Sequence, residues 1–462
     1  MLKNVCIQGL GFVGAAMAVA VASARSIDGE ALYSVVGVDQ DTPEGCERVR
    51  KLGKGEFPFP TLDNRLLEKV KECYSCGNLT TTTDEGAYGD ADVIVVDIPL
   101  DVSYTSDPPY FDLTEFSNAF RSLAKRAKEG ALILIESTVP PGTCDKVLSP
   151  ILDQEIRLRE IPPQSVHLAH SFERVMPGEN YLASITNFWR VYSANSETSA
   201  QICEEFLSSI INVDEFPLMR LSSMTASETA KVMENSYRAA NIAFMDEWTK
   251  FSEAVGIDLF EITEAIRVRP THSNIRFPGL GVGGYCLTKD PAFTPAAASQ
   301  IFNLTKLEFP FVKLLSRVNQ SMPQHSVLRL KNMLNGSCDG KNILLCGVSY
   351  RGDVGDTRFS PVEIFAQAIK HEGGCIQGFD PFVTEWVETG ANMLSELPSA
   401  MLYDAIVFTT PHSEFKKINL VKWFGEARPV VLDTVNVVSK AHRSECRDAG
   451  IVIESIGRAD GL

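Results

Sequence analysis

An apolar run from Asn4 to Gln8 ends in Gly9-Leu10-Gly11-Phe12-Val13-Gly14 and passes directly into an alanine-rich helical pattern. A second apolar run, Ser34 to Val38, ends in Asp39. A GxGxxG set between a strand and a helix, with an acidic residue 25 positions after its last glycine, is the fingerprint of a dinucleotide-binding βαβ unit. The glycines serve separate ends, namely a tight turn, close approach of backbone to pyrophosphate, and close packing of helix on strand. The helix then presents its positive end to the phosphates. Gly9, Gly11, Phe12, Val13 and Gly14 are therefore candidate cofactor residues. Asp39 would accept hydrogen bonds from the ribose hydroxyls and repel a phosphate there, which selects NAD over NADP.

Further buried strands are predicted at Asp92 to Ile98 and Ala131 to Ile135, as a parallel sheet requires. Ser222 to Val255 reads as helix, and so does Phe309 to about Leu334, where Pro323 is expected to interrupt and kink the pattern. Strands return at Ile343 to Cys346, Cys375 to Phe379, Ala405 to Phe408 and Val430 to Leu432. The first of these ends in Gly347-Val348-Ser349-Tyr350 without GxGxxG, so it implies no second dinucleotide. The expectation is an α/β chain of two Rossmann-like doubly wound domains joined by a central helical domain. The domains are expected at 1–210 (NAD binding), 211–335 (helical, with the glycine–cysteine loop) and 336–462.

The 462 residues carry 43 Lys and Arg against 59 Asp and Glu, a formal charge of −16 that a nucleic-acid backbone would repel. An anionic small molecule can still bind, at backbone N–H groups and a few placed cations. Eleven cysteines without regular spacing suggest a reducing compartment. Cys73 and Cys76 read as thiols beside a turn at Gly77-Asn78. The apolar run from Ala15 to Ala24 is too short to span a bilayer. A soluble, cytoplasmic protein with no membrane or nucleic-acid partner is expected.

Phe277 to Cys286 contains four glycines between Gly279 and Gly284, a costly density in a helical region that a ligand pressed against backbone N–H groups would explain. Cys286 could then sit at a helix N-terminus, where a thiolate is stabilised, with Lys289 and Asp290 about one turn on. Lys231, Asn235 and Arg238 share one helical face. Met233, Tyr237, Ala240 and Phe244 supply an apolar stripe, which leaves the polar face either solvated or lining a cleft. Glu136-Ser137-Thr138-Val139-Pro140-Pro141-Gly142-Thr143 lies where open α/β sheets bind ligands. Glu173-Arg174 with Pro177-Gly178 follows another short apolar stretch. His167 and His170 read as strand or turn residues, and no metal site is expected. An NAD fold combined with a nucleophilic cysteine suggests oxidation of an aldehyde through a thiohemiacetal and a thioester to an acid, with a cation or amide steadying the oxyanion.

These segments together resemble the UDP-sugar 6-dehydrogenase family, which includes UDP-glucose and UDP-N-acetylhexosamine dehydrogenases. The resemblance runs through GLGFVG (Gly9–Gly14), VVGVDQD (Val35–Asp41), ESTVPPGT (Glu136–Thr143) and ERVMPG (Glu173–Gly178). It continues in Lys231 with Asn235, PGLGVGGYCLTKD (Pro278–Asp290), VNQSMPQHSV (Val318–Val327) and GVSYRGDVGDTRFSP (Gly347–Pro361). It implies two NAD-dependent oxidations of the primary alcohol of a nucleotide-linked hexose, in a homodimer or higher homo-oligomer formed by the helical domain. By resemblance Cys286 is the nucleophile, Lys231 and Asn235 stabilise the oxyanion, and Asp290, Thr138 and Glu173 position water and move protons. Pro99, Ser137, Thr138 and Lys289 join the cofactor set. Glu173, Arg174, Lys231, Asn235, Arg238, Phe277, Gly281, Gly283, Gly284 and Arg358 form the substrate set, with Arg351 where the family usually has lysine.

Phe172 to Gly178 is closer to the PERxxPG of N-acetylhexosamine enzymes than to the PEFLREG of UDP-glucose enzymes, although Phe172 replaces proline. The Lys289-Asp290 pair and Tyr285 before the cysteine point the other way. The reading leans to a UDP-N-acetylhexosamine. UDP-glucose oxidation is the alternative. Other readings are a single-hydride hydroxy-acid dehydrogenase, which would need neither Cys286 nor the third domain, and a non-catalytic nucleotide-sugar or NAD sensor.

Overall fold

The computed structural model describes residues 2–459. The first sheet contains β1 Lys3–Gln8, β2 Tyr33–Val38, β3 Leu79–Thr82, β4 Val93–Val96, β5 Leu132–Ile135, β6 His167–His170, β7 Val191–Ala194 and β8 Met219–Arg220. Its order is β3-β2-β1-β4-β5-β6-β7-β8, parallel except where β7 runs against β6. The second sheet contains β9 Asn342–Cys346, β10 Cys375–Phe379, β11 Asn392–Leu394, β12 Ala405–Phe408, β13 Val430–Asp433 and β14 Ile453–Ser455. It is wholly parallel, in the order β11-β10-β9-β12-β13-β14.

Period-two alternation explains why both sheets need cover on two faces. Val5, Ile7, Val93, Val95, Leu132 and Leu134 enter one core, while Cys6, Ile94, Val96, Ile133 and Ile135 enter the core on the opposite face. In the second sheet Ile343 and Leu345 face one core, and Leu344 and Cys346 the other. Two doubly wound sheets and helical segments between them are thus present, as expected. The chain divides into two compact units: Met1–Glu234 with Ala292–Glu308, and Asn235–Pro291 with Phe309–Leu462.

The strands read from sequence agree to within a residue or two. The pattern does not predict β3, β7, β8, β11 and β14, because these are short or edge elements with weak alternation. His167 and His170 lie on β6. Pro323 does not interrupt its helix, which runs unbroken from Pro310 to Met333. Proline costs a helix the bond to the carbonyl four residues back, but Pro323 is buried and flanked by the core residues Met322 and Val327. Packing therefore holds the helix together across the lost bond. In the first unit, Glu228 ties the helix Met224–Val255 to the Pro140–Thr143 turn by accepting from the Gly142 and Cys144 amides at 2.6 and 2.7 Å.

Candidate active site

Gly9 follows β1 at φ +89°, where only glycine is at ease. A Cβ on Gly14 would stand 1.8 Å from the Gly9 carbonyl oxygen, so the helix Phe12–Ala22 can approach the turn only without a side chain there. Gly11 caps that helix with no side-chain hydrogen bond, which leaves the first amides to an incoming phosphate. This cradle fits a dinucleotide. Phe12 stacks on Phe59 at 4.1 Å, and the Tyr181 hydroxyl donates to the Phe12 carbonyl at 2.6 Å. Asp39, at the end of β2, accepts from the Leu10 and Gln40 amides. It is also gripped in a bidentate pair by Arg48, whose Nε and Nη2 lie 2.7 and 3.2 Å from its oxygens. Sequence reasoning missed Arg48, although a cation nine residues after the acid, on the helix Pro43–Leu52 that follows it, was there to be noticed.

Ser137, one residue beyond Glu136 at the end of β5, donates to the Val96 and Ile98 carbonyls, so it pins the strand end that leads to Pro99, which is exposed. Thr138 follows it, half-buried. Glu136 is paired with Arg190 at 2.8 Å, with both side chains almost wholly buried. Burial pushes the Glu136 carboxyl up against the opposing pull of Arg190. Lys231 donates to the Glu173 carbonyl at 2.8 Å, lies 3.7 Å from the Glu173 carboxylate, and sits 5.5 Å from the centre of the Phe172 ring. Arg174 pairs with Glu234 at 2.8 Å and also covers Phe172. His170 is fully buried against Ser227, and burial, reinforced by Lys231, lowers its pKa to about 3, so it stays neutral. The first unit thus brings Lys231 and Glu173 together, and beside Glu136 it adds Asp97 and Arg190, which the sequence reading did not single out.

In the second unit Cys286 is the second residue of the helix Tyr285–Gln300 and is exposed, the position read from the sequence. Asp290 is fully buried one turn on. It accepts from Asn235 Nδ2 at 2.6 Å and from Lys289 Nζ at 3.0 Å. Lys289 and Arg358 both lie over the Tyr285 ring, at 4.6 and 5.6 Å, and Arg358 is held bidentately by Asp356. Tyr350 is near Cys286, and burial, with Asp356 and Cys286 nearby, pushes its phenol up to about 12. Phe277 stacks on Phe260 and carries Arg267 at 4.9 Å. Arg238 is exposed, and burial, then Arg238 and Arg267 nearby, lower the Arg276 pKa.

Two expectations change. The glycine density does not need a ligand against backbone to explain it, because a Cβ on Gly283 would meet Pro361 and Tyr350 at 2.6 and 2.8 Å. One on Gly284, at φ +86°, would meet the Tyr350 ring at 2.7 Å. Close packing inside the unit already requires these two glycines, whereas Gly281 at φ +141° has ordinary contacts. The apolar stripe Met233, Tyr237 and Phe244 is exposed, while Lys231 and Asn235 are buried and Arg238 is exposed, so only the first two residues of the polar face turn inward and the aromatic stripe turns outward. Among the described residues no group of three His, Cys, Asp or Glu is placed to hold a metal ion, and no helix is long and apolar enough to cross a membrane.

The glycine cradle with its acidic strand end makes the first unit that of an NAD-dependent dehydrogenase. The chain belongs to the UDP-glucose/GDP-mannose dehydrogenase family: residues 3–211 match its NAD binding domain, 225–321 its central domain and 344–440 its UDP binding domain. It is 30% identical to the UDP-N-acetyl-D-mannosamine dehydrogenase of Pyrococcus horikoshii, over 99% of this chain and 100% of that one. It is 27% identical to the UDP-N-acetyl-D-glucosamine 6-dehydrogenase of Pseudomonas aeruginosa, over 93% and 96% of the two chains. The solved UDP-D-ManNAc dehydrogenase of P. horikoshii superposes with a TM-score of 0.80 at 27% identity, over 99% and 100% of the two chains. A UDP-glucose dehydrogenase from Pyrobaculum islandicum shares the fold, with a TM-score of 0.81 at 21% identity over 99% and 98%.

Proposed function

We propose that this enzyme oxidises the primary alcohol of a UDP-N-acetylhexosamine twice, giving the uronic acid. What carries the reading is the full-length likeness to N-acetylhexosamine dehydrogenases, taken with a cysteine at a helix N-terminus one turn from a buried Asp290–Asn235–Lys289 cluster. Bound NAD supplies the hydride acceptor for each oxidation.

In the first step the alcohol carbon loses a hydride and its oxygen a proton, leaving an aldehyde. Cys286 Sγ then adds to the carbonyl carbon, where a helix N-terminus favours the thiolate. The resulting oxyanion is met by Lys231 and Asn235, one turn apart on one helix, as preorganised donors. Loss of the second hydride converts the thiohemiacetal to a thioester. Water, oriented by Asp290 with Thr138 and Glu173, cleaves the thioester, releases the acid and returns the thiol. Gly9, Gly11, Phe12, Val13, Gly14, Asp39, Pro99, Ser137, Thr138 and Lys289 hold the cofactor. Glu173, Arg174, Arg238, Phe277, Gly281, Gly283, Gly284 and Arg358 hold the UDP-sugar, with Arg351 assisting.

The exposed aromatic face of the helix Met224–Val255 supports a homodimer or higher homo-oligomer. Tyr237 and Phe244, with Phe311 and Leu314, line an apolar cavity of about 410 Å³ that a second copy would close. Residues 1–210, 211–335 and 336–462 serve as cofactor, helical and UDP-sugar domains of a cytoplasmic enzyme that supplies polysaccharide precursors.

An NADH assay across UDP-glucose, UDP-N-acetylglucosamine, UDP-N-acetylmannosamine, their galactose counterparts and GDP-mannose tests the reading. The expected result is turnover of an N-acetylhexosamine with two NADH per acid formed, and loss of acid formation in Cys286→Ser. Preference for UDP-glucose would overturn the sugar, one NADH per product would overturn the double oxidation, and a Cys286→Ser protein that forms acid at the wild-type rate would overturn the nucleophile.

A further inference from the structure

Gln8 pairs with Val96, and Val96 with Ile135, so the next residues, Gly9, Asp97 and Glu136, form one row across the carboxyl ends of β1, β4 and β5. Adjacent strands lie about 4.8 Å apart and in-register side chains point to one face, which makes the two carboxyls neighbours. Asp97 also underlies the glycine cradle. Its carbonyl oxygen would be 2.6 Å from a Cβ on Gly9, and its own Cβ 3.2 Å from a Cβ on Gly14. Asp97 keeps some exposed surface, but its Oδ2 is sealed from solvent with no hydrogen-bond partner, as is Glu136 Oε2.

Around Asp97 stand Glu136 from the end of β5, Glu173 from beyond β6 and Arg190 from before β7, and Glu173 is in turn met by Lys231 from the helix Met224–Val255. Residues 9–22, the turn and helix of the fingerprint, carry no charge. Arg190 is bonded to Glu136, and Lys231 to Glu173. Two cations are thus matched to two carboxylates, and Asp97 is the third carboxyl. Burial, Glu136 and Glu173 all push it well above the usual range, and Arg190 offsets only part of this. Ionised, it would repel the diphosphate of a dinucleotide at the cradle. Protonated, it gains an O–H donor.

We propose that Asp97 is carried as a neutral acid and in that form donates a hydrogen bond to the NAD bound over the glycine turn, so that the cofactor binds the protonated enzyme. This rests on the cofactor alone and not on which sugar is oxidised, so a failed substrate panel leaves it standing. The test is NAD affinity from pH 6 to 9, with proton uptake measured by titration calorimetry in buffers of different ionisation heat, for the wild type and Asp97→Asn. The wild type is expected to weaken by about tenfold per pH unit once Asp97 ionises and then to take up about one proton per NAD. Asp97→Asn keeps a donor and cannot ionise, so its affinity should stay flat with no uptake. Equal pH dependence and equal proton counts in the two proteins would overturn the proposal. Infrared spectra of the wild type labelled with 13C-aspartate, before and after NAD is added, report the protonation state even if the variant fails to fold. A protonated-carboxyl band at neutral pH that shifts with the label and moves when NAD binds is expected; burial also raises Asp433, so a band that ignores NAD, like no band at all, would overturn the proposal.

Discussion

The two sheets each place an acid at the end of their second strand and then treat it in opposite ways. Both first strands turn on a left-handed glycine, Gly9 at φ +89° and Gly347 at φ +94°. After Gly9 the helix begins three residues on, with uncapped amides. After Gly347 it begins only at Pro361, capped by Ser360. Asp39 accepts two amides and an arginine that is partly exposed. Asp380 accepts the Val348, Ser349 and Phe382 amides, the Ser349 hydroxyl and His412 Nε2 at 3.0 Å, and is almost wholly buried. One fold therefore keeps its donors for a ligand, and the other uses them up on its own side chains. The absence of a second GxGxxG already pointed to this difference.

The largest expected effect comes from breaking the filled crevice. His412→Ala leaves Asp380 charged, buried and short of a partner, and should cost about 3–5 kcal/mol in denaturant unfolding. A change below about 1 kcal/mol would mean that the amides alone satisfy Asp380. Next is Gly14→Ala in the open crevice, which forces a Cβ to within 1.8 Å of a carbonyl oxygen. About 1–3 kcal/mol of stability should be lost, together with NAD binding. Retained NAD affinity would show that the helix can withdraw from the turn.

A third prediction contrasts two buried carboxyls held by amides. Burial raises Glu228, which has amide and thiol neighbours and an acidic residue nearby, to about 8. Burial also raises Asp380, but the His412 bond and the amides outweigh it and leave that group lowered. The linkage signs are therefore opposite. Glu228 binds its proton more tightly when folded, so its contribution is complete below about pH 4, its unfolded value, and is lost as pH rises through about 8. Asp380 contributes above its unfolded value, and that contribution is lost as pH falls through its folded one. Thermal melts from pH 4 to 9 should show Glu228→Gln losing less stability than wild type on the alkaline side; parallel curves would contradict this. The smallest effect belongs to Arg48→Ala. That pair is partly exposed and worth at most about 1 kcal/mol of stability. The substitution tests instead whether Arg48 must leave Asp39 for NAD to bind, in which case affinity rises.

Much of the site is legible in the sequence because its chemistry depends on short-range order. GLGFVG between strand and helix, and Cys286 after a glycine run, declare their local geometry through φ and capping requirements. Lys231 and Glu173 can be named from motifs, but their contact joins residues 58 apart in sequence. Asp97, Arg190 and Tyr350 are not legible, for the same reason. Asp97 matters because register sets it beside Gly9 and Glu136, and Arg190 because it reaches Glu136 across 54 residues. Tyr350 matters because its ring is what Gly284 makes room for.

By itself the sequence determined the longer strands, the main helices, the glycine turn, the place of Cys286 at the start of its helix and the family, since periodicity, glycine and capping act within a few residues. Only the tertiary structure decided which face of the helix Met224–Val255 is buried, why Gly283 and Gly284 must be glycine, and which carboxyl is left without a cation. Burial and charge pairing depend on what distant segments bring to the same place, and a linear pattern contains no record of that.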